Sequence, residues 1–239
     1  TSRSYSIHFS DDVFRPRHAA GTGTTVDADG FVTNGDPEDT VKPGATFTYQ
    51  WDVPSLAGPQ PGDPSSIVWV YYSRVTDVKD AASGLIGGVI VTGRGQANAD
   101  GTPKDVDREI VALFTTFNEN QSWYLPDNFA AHISAADQEA VNKREANFSD
   151  AQGFFTFAGT GYAETNYKFS VNGFLYGDGP VMKLTEGQRV RWYLMGMGDV
   201  GAINFHHPHW HGSTLIANGP HRDKIDRLPM ATQHGSMIP

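Results

Sequence analysis

The sequence predicts an all-β protein built from two β-sandwiches. Three observations carry that expectation. Short apolar runs recur along the chain, Gly, Pro, Asn and Asp punctuate them, and several alternate apolar with polar residues at the period of a half-buried strand. Many short strands with turn residues between them are the pattern of sandwiches. A chain of 239 residues suffices for one large domain or two of ordinary size.

The elements follow in chain order. Phe47, Tyr49, Trp51 and Val53 alternate with Thr48, Gln50 and Asp52, and Pro43-Gly44 supplies the turn before them. Ile67–Tyr72 is a continuous apolar run, read as a buried strand. Leu85–Val91 is another, and Gly87-Gly88 inside it signals close backbone approach or a bulge. Residues 93–105, rich in Gly, Asn and Asp, read as an interdomain linker. Glu109–Phe117 reads as a strand. One helix is expected, with Ser134 as N-cap and Asp137 three residues on, running to about Ala146. Val181–Leu184 and Arg189–Leu194 read as a hairpin around Glu186-Gly187, with Val190, Trp192 and Leu194 on one face.

Composition narrows the function. The formal net charge is −9 and no Lys/Arg cluster exists, which argues against nucleic acid or an anionic membrane as partner. No apolar run approaches the length of a membrane span. The chain contains no cysteine, so disulfides, thiolate nucleophiles, Cys-ligated iron–sulfur clusters and a blue-copper centre built within these residues are excluded.

The most informative local feature is His206-His207-Pro208-His209-Trp210-His211, four of the nine histidines within six residues. Neutral imidazole is the commonest side-chain ligand for copper, zinc and iron. A strand sends residues i and i+2 to one face, so His209 and His211 can converge on one site. The competing reading is a surface His-rich turn. Met195 and Met197 flank Gly196 and read as packing residues. Asn120-Gln121-Ser122 and Asn147-Phe148-Ser149 are glycosylation sequons. No recognisable acid–base pair or catalytic residue emerges.

Several blocks in order resemble the multicopper oxidase family, nearest to ceruloplasmin and small bacterial two-domain, laccase-like relatives. They are Val78-Lys79-Asp80 with Ser83-Gly84-Leu85-Ile86-Gly87, the run from Phe117 to Leu125 through Trp123, Val171-Asn172-Gly173-Phe174, and Trp192–Gly198 leading into the His cluster. The resemblance implies two cupredoxin-like Greek-key β-sandwich domains, 1–104 with its linker and 105–239. The first lacks its N-terminal strands and the second its C-terminal ones. It implies copper-dependent oxidation of phenols or metal ions coupled to dioxygen reduction, a secreted, periplasmic or extracellular location, and a homo-oligomer, a trimer.

The family's ligands carry over only where residues match. By resemblance, His206 corresponds to the blue-copper ligand, His209 to the type-2 ligand and His211 to a type-3 ligand, from H-x-x-H-x-H-G. His8 corresponds to the other type-2 ligand, with Ser10 where H-x-H has its second histidine. The motif Y-H-S-H reads Tyr71-Tyr72-Ser73-Arg74 here, so both type-3 histidines are replaced. The expectation for the cofactor is therefore copper at partial occupancy or at a single type-2-like site on His8 and His209, which His211 could join, with an empty site beside Arg74 as the other outcome. The alternative is a non-catalytic, copper-binding or structural member of the family.

Overall fold

A computed structural model describes residues 3–9, 13–16, 25–26, 32–33, 40–146, 165–198, 206, 208, 210–211, 215–216, 221–222 and 235–237. In chain order the strands are β1 (His8–Phe9), β2 (Arg15–Pro16), β3 (Thr25–Val26), β4 (Val32–Thr33), β5 (Trp51–Asp52), β6 (Ser66–Tyr72), β7 (Ile86–Thr92), β8 (Arg108–Asn118), β9 (Tyr167–Val171), β10 (Phe174–Leu175), β11 (Val190–Met197), β12 (Leu215–Ile216), β13 (His221–Arg222) and β14 (Gly235–Met237). The α-helices are α1 (Asp77–Ala82), α2 (Leu125–His132) and α3 (Ala135–Ala146). Two sheets dominate: a three-stranded one, β1-β6-β7, and a five-stranded one, β10-β9-β8-β11-β14. β8 and β11 run parallel, with Trp192 opposite Ile110, and the other pairs in both sheets are antiparallel.

This architecture corrects the all-β expectation. The described residues form a mixed α/β structure with open sheets, not a pair of Greek-key sandwiches. Only α3 was foreseen, and its cap is as read: Ser134 Oγ accepts from the Asp137 backbone N–H at 3.2 Å and donates to the Asp137 carboxylate at 2.6 Å. α2 has no capping box, and Pro126 in its first turn resembles a breaker. Proline fits there because that N–H needs no intrahelical partner. α1 is only six residues long, so propensity cannot hold it. It is held by tertiary bonds to Asp80, described below.

The runs at 67–72, 85–91 and 109–117 are strands, within a residue or so at each end. Val181–Leu184 is not. Its expected partner, β11, already has β8 on one side and β14 on the other, leaving no edge for it, and Val181 stays 84% exposed. The run from Phe47 keeps its alternation as far as Asp52, with only Trp51–Asp52 forming a strand, and Val53 is exposed. The rings of Phe47 and Tyr49 lie 4.8 Å apart and those of Tyr49 and Trp51 5.1 Å apart, as i, i+2 placement requires.

Period-two alternation gives the five-stranded sheet two apolar faces. Ile110, Ala112, Val190, Trp192 and Leu194 form one cluster, with Phe114, Val171 and Trp210 packed against it. The opposite parity, Leu113, Tyr193 and Met195, packs on Val68 and Val70 of β6. That second cluster joins the two sheets, and each large apolar side chain fully buried there contributes about 1.5–3 kcal/mol. The close approach predicted at Gly87-Gly88 is present: a Cβ on Gly87 would lie 2.5 Å from Tyr71 Cζ, and one on Gly88 2.9 Å from Met195 Sδ.

Beside the apolar joint lies a polar one. Arg191, fully buried, donates through Nη2 to Asp105 Oδ2 at 2.8 Å, and through Nη1 to Ser65 Oγ at 2.5 Å and Ser66 Oγ at 2.7 Å. Ser65 Oγ also donates to Asp105 Oδ1 at 2.5 Å. The Tyr193 hydroxyl bonds Ser66 Oγ at 2.6 Å and donates to Glu109. Burial, then the Glu109 carboxylate, pushes the Tyr193 phenol far above its ordinary value, so it stays neutral.

Candidate functional site

The strand bearing His8 is short and is positioned by side-chain bonds to the segment following β6. In the β1–β6 pair His8 stands opposite Tyr72 and Phe9 opposite Tyr71. The Phe9 ring packs 4.3 Å from Phe14 and 4.9 Å from Trp51 (centroid distances), anchoring one face of the strand. The Ser6 backbone N–H donates to Ser73 Oγ at 3.1 Å, and the Arg74 backbone N–H donates to Ser6 Oγ at 3.1 Å. Ser6 and Ser73 thus hold the start of the chain against the end of β6.

Beneath them Asp80 acts as a hub. Its carboxylate is 1% exposed and accepts from Ser73 Oγ (2.6 Å), the Thr76 backbone N–H (3.1 Å) and Trp123 Nε1 (2.8 Å). The Trp123 ring in turn lies under the Arg3 guanidinium, 3.8 Å from its centroid, with the Lys79 ammonium 4.7 Å from the centroid. Asp80 and Trp123 both stand in the blocks that resemble the family, and local pattern gives neither a role. The signal was their pairing: a buried carboxylate needs several donors, and the indole N–H needs an acceptor.

The expected ligands fare differently. His8 is half-buried on β1. His206 is half-buried on the far side of the β8/β11 pairing, its ring 5.0 Å from Phe114. Its Nε2 has no hydrogen-bond partner among the described residues, and burial holds the imidazole below its ordinary pKa. It lines an apolar cavity of about 510 Å³ with Phe114, Phe169, Val171, Phe174 and Met182. His211 is exposed in a turn, and His209 lies outside the described residues. Trp210 packs on Trp192 at 4.8 Å and ties the His-rich segment to the face of β11.

The copper expectation is corrected here. Among the described residues no three His, Cys, Asp or Glu side chains gather into a group that could hold a metal ion. The donor chemistry around His8 agrees. The residue opposite it is a phenol, Tyr72, and Arg74 follows two positions later, a fixed cation where the resemblance puts an imidazole. No cysteine is present to supply a thiolate. These residues do not fit copper.

No family model matches the chain. It is 37% identical over 208 residues to Ferroxidase HEPHL1 of Homo sapiens, covering 85% of this chain and 16% of that protein. It is 35% identical over 191 residues to Hephaestin of Homo sapiens (79% and 15%) and 35% identical over 192 residues to Ceruloplasmin of Homo sapiens (80% and 16%). The chain therefore spans about a sixth of the length of these curated relatives. Among solved structures it is similar to a blue copper oxidase from Nitrosomonas europaea, with TM-score 0.52 and 14% identity, covering 100% of this chain and 59% of that one. It is similar also to Fet3p, a multicopper oxidase that functions in iron import, with TM-score 0.52 and 13% identity, covering 100% and 36%. At such identities the structural likeness is one of fold alone.

Proposed function

This chain belongs to the multicopper-oxidase, cupredoxin-like family, and from that premise we propose that it is a non-catalytic, structural member that works outside the cell through its surfaces rather than by electron transfer. One observation carries the reading. The end of β6, where the resemblance places two imidazoles, holds Tyr72 and Arg74, and Ser73 between them is committed to Ser6 and Asp80. This segment is built as a hydrogen-bonded joint, and a guanidinium there repels a second cation. The name ferroxidase, carried by relatives, would imply iron oxidation, but the side chains at this joint weigh against that for this chain.

Working through surfaces fits a second feature. Phe169, Phe174, Tyr176, Val181 and Met182 are 47–98% exposed on one stretch of chain, an apolar area of the kind that marks association. We infer self-association, with the trimer suggested by the family as the expected size. No helix among the described residues is long and apolar enough to cross a membrane.

The test is an oxidase assay with a phenol and with ferrous iron, run with copper(II) supplied in excess. The expected rate equals that of copper(II) without protein. A rate that scales with protein concentration would overturn the proposal. Light scattering on the same sample reads the assembly, and Phe174→Ser with Tyr176→Ser is expected to dissociate it.

A further inference from the structure

β9 and β10 are joined by the two-residue turn Asn172-Gly173, with Val171 opposite Phe174. Both turn residues have positive φ, +53° and +80°, the backbone of a type I′ hairpin, which Asn-Gly suits best. Asn172 also binds the neighbouring strand. Its backbone N–H donates to the Leu113 carbonyl at 2.9 Å. Its side-chain Oδ1 accepts from the Leu113 N–H at 2.8 Å, and its Nδ2 donates to the Val111 carbonyl at 2.9 Å. The first partner can only donate and the second can only accept, so the orientation of the amide is fixed. The side chain thus continues the β8 ladder past Phe114–Val171, the last residue pair of β8 and β9, where the backbone turns away. Asn172 is nevertheless exposed, so water and hydroxide reach it.

We infer that Asn172-Gly173 is a conditional deamidation site, protected while its amide is docked on β8 and converted irreversibly once the β9–β10 hairpin lifts away. In the released chain, bulk base removes the Gly173 amide proton and the nitrogen attacks Asn172 Cγ. The N–Cγ bond forms, the Cγ–Nδ2 bond breaks, and ammonia leaves after taking a proton from solvent. Water then opens the cyclic imide at either carbonyl, leaving aspartate or isoaspartate. One water is consumed, one ammonia is released, and no oxidant or reductant is required. Glycine after the asparagine puts no side chain in the way of the attack. In the folded chain both ends of the carboxamide are bonded to β8, so Cγ cannot turn toward the Gly173 nitrogen without breaking those bonds.

The product does not fit the site. A carboxylate still accepts from the Leu113 N–H, but its second oxygen then faces the Val111 carbonyl, acceptor against acceptor. Isoaspartate adds a methylene to the backbone of a two-residue turn. Either change works against re-docking of a hairpin that carries Phe169 and Phe174, two walls of the 510 Å³ cavity. Deamidation that accumulates in the opened state would therefore leave a permanent record in the chain.

Peptide mapping by mass spectrometry tests this, with the intact protein and a synthetic peptide of residues 167–178 incubated side by side in mildly alkaline buffer. Deamidation at Asn172 in the folded protein is expected to be roughly tenfold to a hundredfold slower than in the peptide, the factor for about two net hydrogen bonds. In urea below the global transition, the rate should rise with hydrogen exchange at the Leu113 amide. Equal rates in protein and peptide, or a rate indifferent to that opening, would refute protection. An inert peptide would refute the chemistry. Asn172→Gln keeps an amide but disfavours ring closure, so a mass gain in the same peptide of that variant would move the site elsewhere. Asn172→Asp should speed hydrogen exchange in β9 and β10 at least severalfold, and unchanged exchange would overturn the claim that the product does not fit.

Discussion

Replacing Asp105 by Asn leaves the Arg191 guanidinium buried opposite a neutral partner. Arg191 is 0% exposed, and its Nε has no hydrogen-bond partner among the described residues, so its charge depends on the Asp105 carboxylate. Breaking one side of a buried pair costs about 3–5 kcal/mol. The Asp105 side chain is itself 40% exposed, so solvent screens part of the attraction and the expected loss falls to about 2–3 kcal/mol. Urea unfolding followed by tryptophan fluorescence reads this as a lower midpoint with an unchanged slope. Arg191→Met removes the buried cation and leaves a carboxylate that water can reach, so it should cost less than Asp105→Asn.

The pH dependence has a definite sign. Partial burial alone would raise the Asp105 pKa, but the hydrogen bonds from Arg191 and Ser65 and the Arg191 charge outweigh it and hold the pKa below the ordinary carboxylate range. A group lowered on folding stabilises fully above its unfolded pKa, near 3.9 for Asp, and loses that contribution as pH falls through the folded value. The gap between the native protein and Asp105→Asn should therefore be constant near neutrality and shrink below about pH 4. A loss under about 0.5 kcal/mol, or a gap that widens in acid, would refute the ion-pair account.

Three further outcomes are expected. Asp80→Asn weakens three hydrogen bonds to a buried carboxylate and should lower stability by about 2–4 kcal/mol in urea unfolding, with the near-ultraviolet signal of Trp123 altered. Tyr193→Phe removes the bonds to Ser66 and Glu109 while keeping the ring, and calorimetry should show a loss of about 1–2 kcal/mol. Gly87→Ala drives a methyl into the Tyr71 ring and Gly88→Ala drives one into the more flexible Met195 side chain, so both should destabilise by about 1–3 kcal/mol, Gly87 the more.

What the sequence determined by itself is local and periodic. Period two placed Val190, Trp192 and Leu194 on one face, and the apolar runs at 67–72, 85–91 and 109–117 became strands, because a buried sheet face demands that pattern. The Ser134–Asp137 cap started α3, since such a cap needs only residues three apart. The family was legible in short blocks whose order survives divergence. Tertiary structure alone decided the rest. It made α1 a helix through a carboxylate bonded to Ser73 and Trp123, and it denied Val181–Leu184 a strand because no edge was free. It put Arg191 in a joint with Ser65, Ser66 and Asp105, residues 86 to 126 positions away in sequence. It also set Tyr72 opposite His8 and bonded the next residue, Ser73, to Ser6 and Asp80. The physical reason is the same in each case: bonds that close between distant residues leave no mark on local pattern, and they outweigh propensity wherever a buried charge or polar group must find its partner.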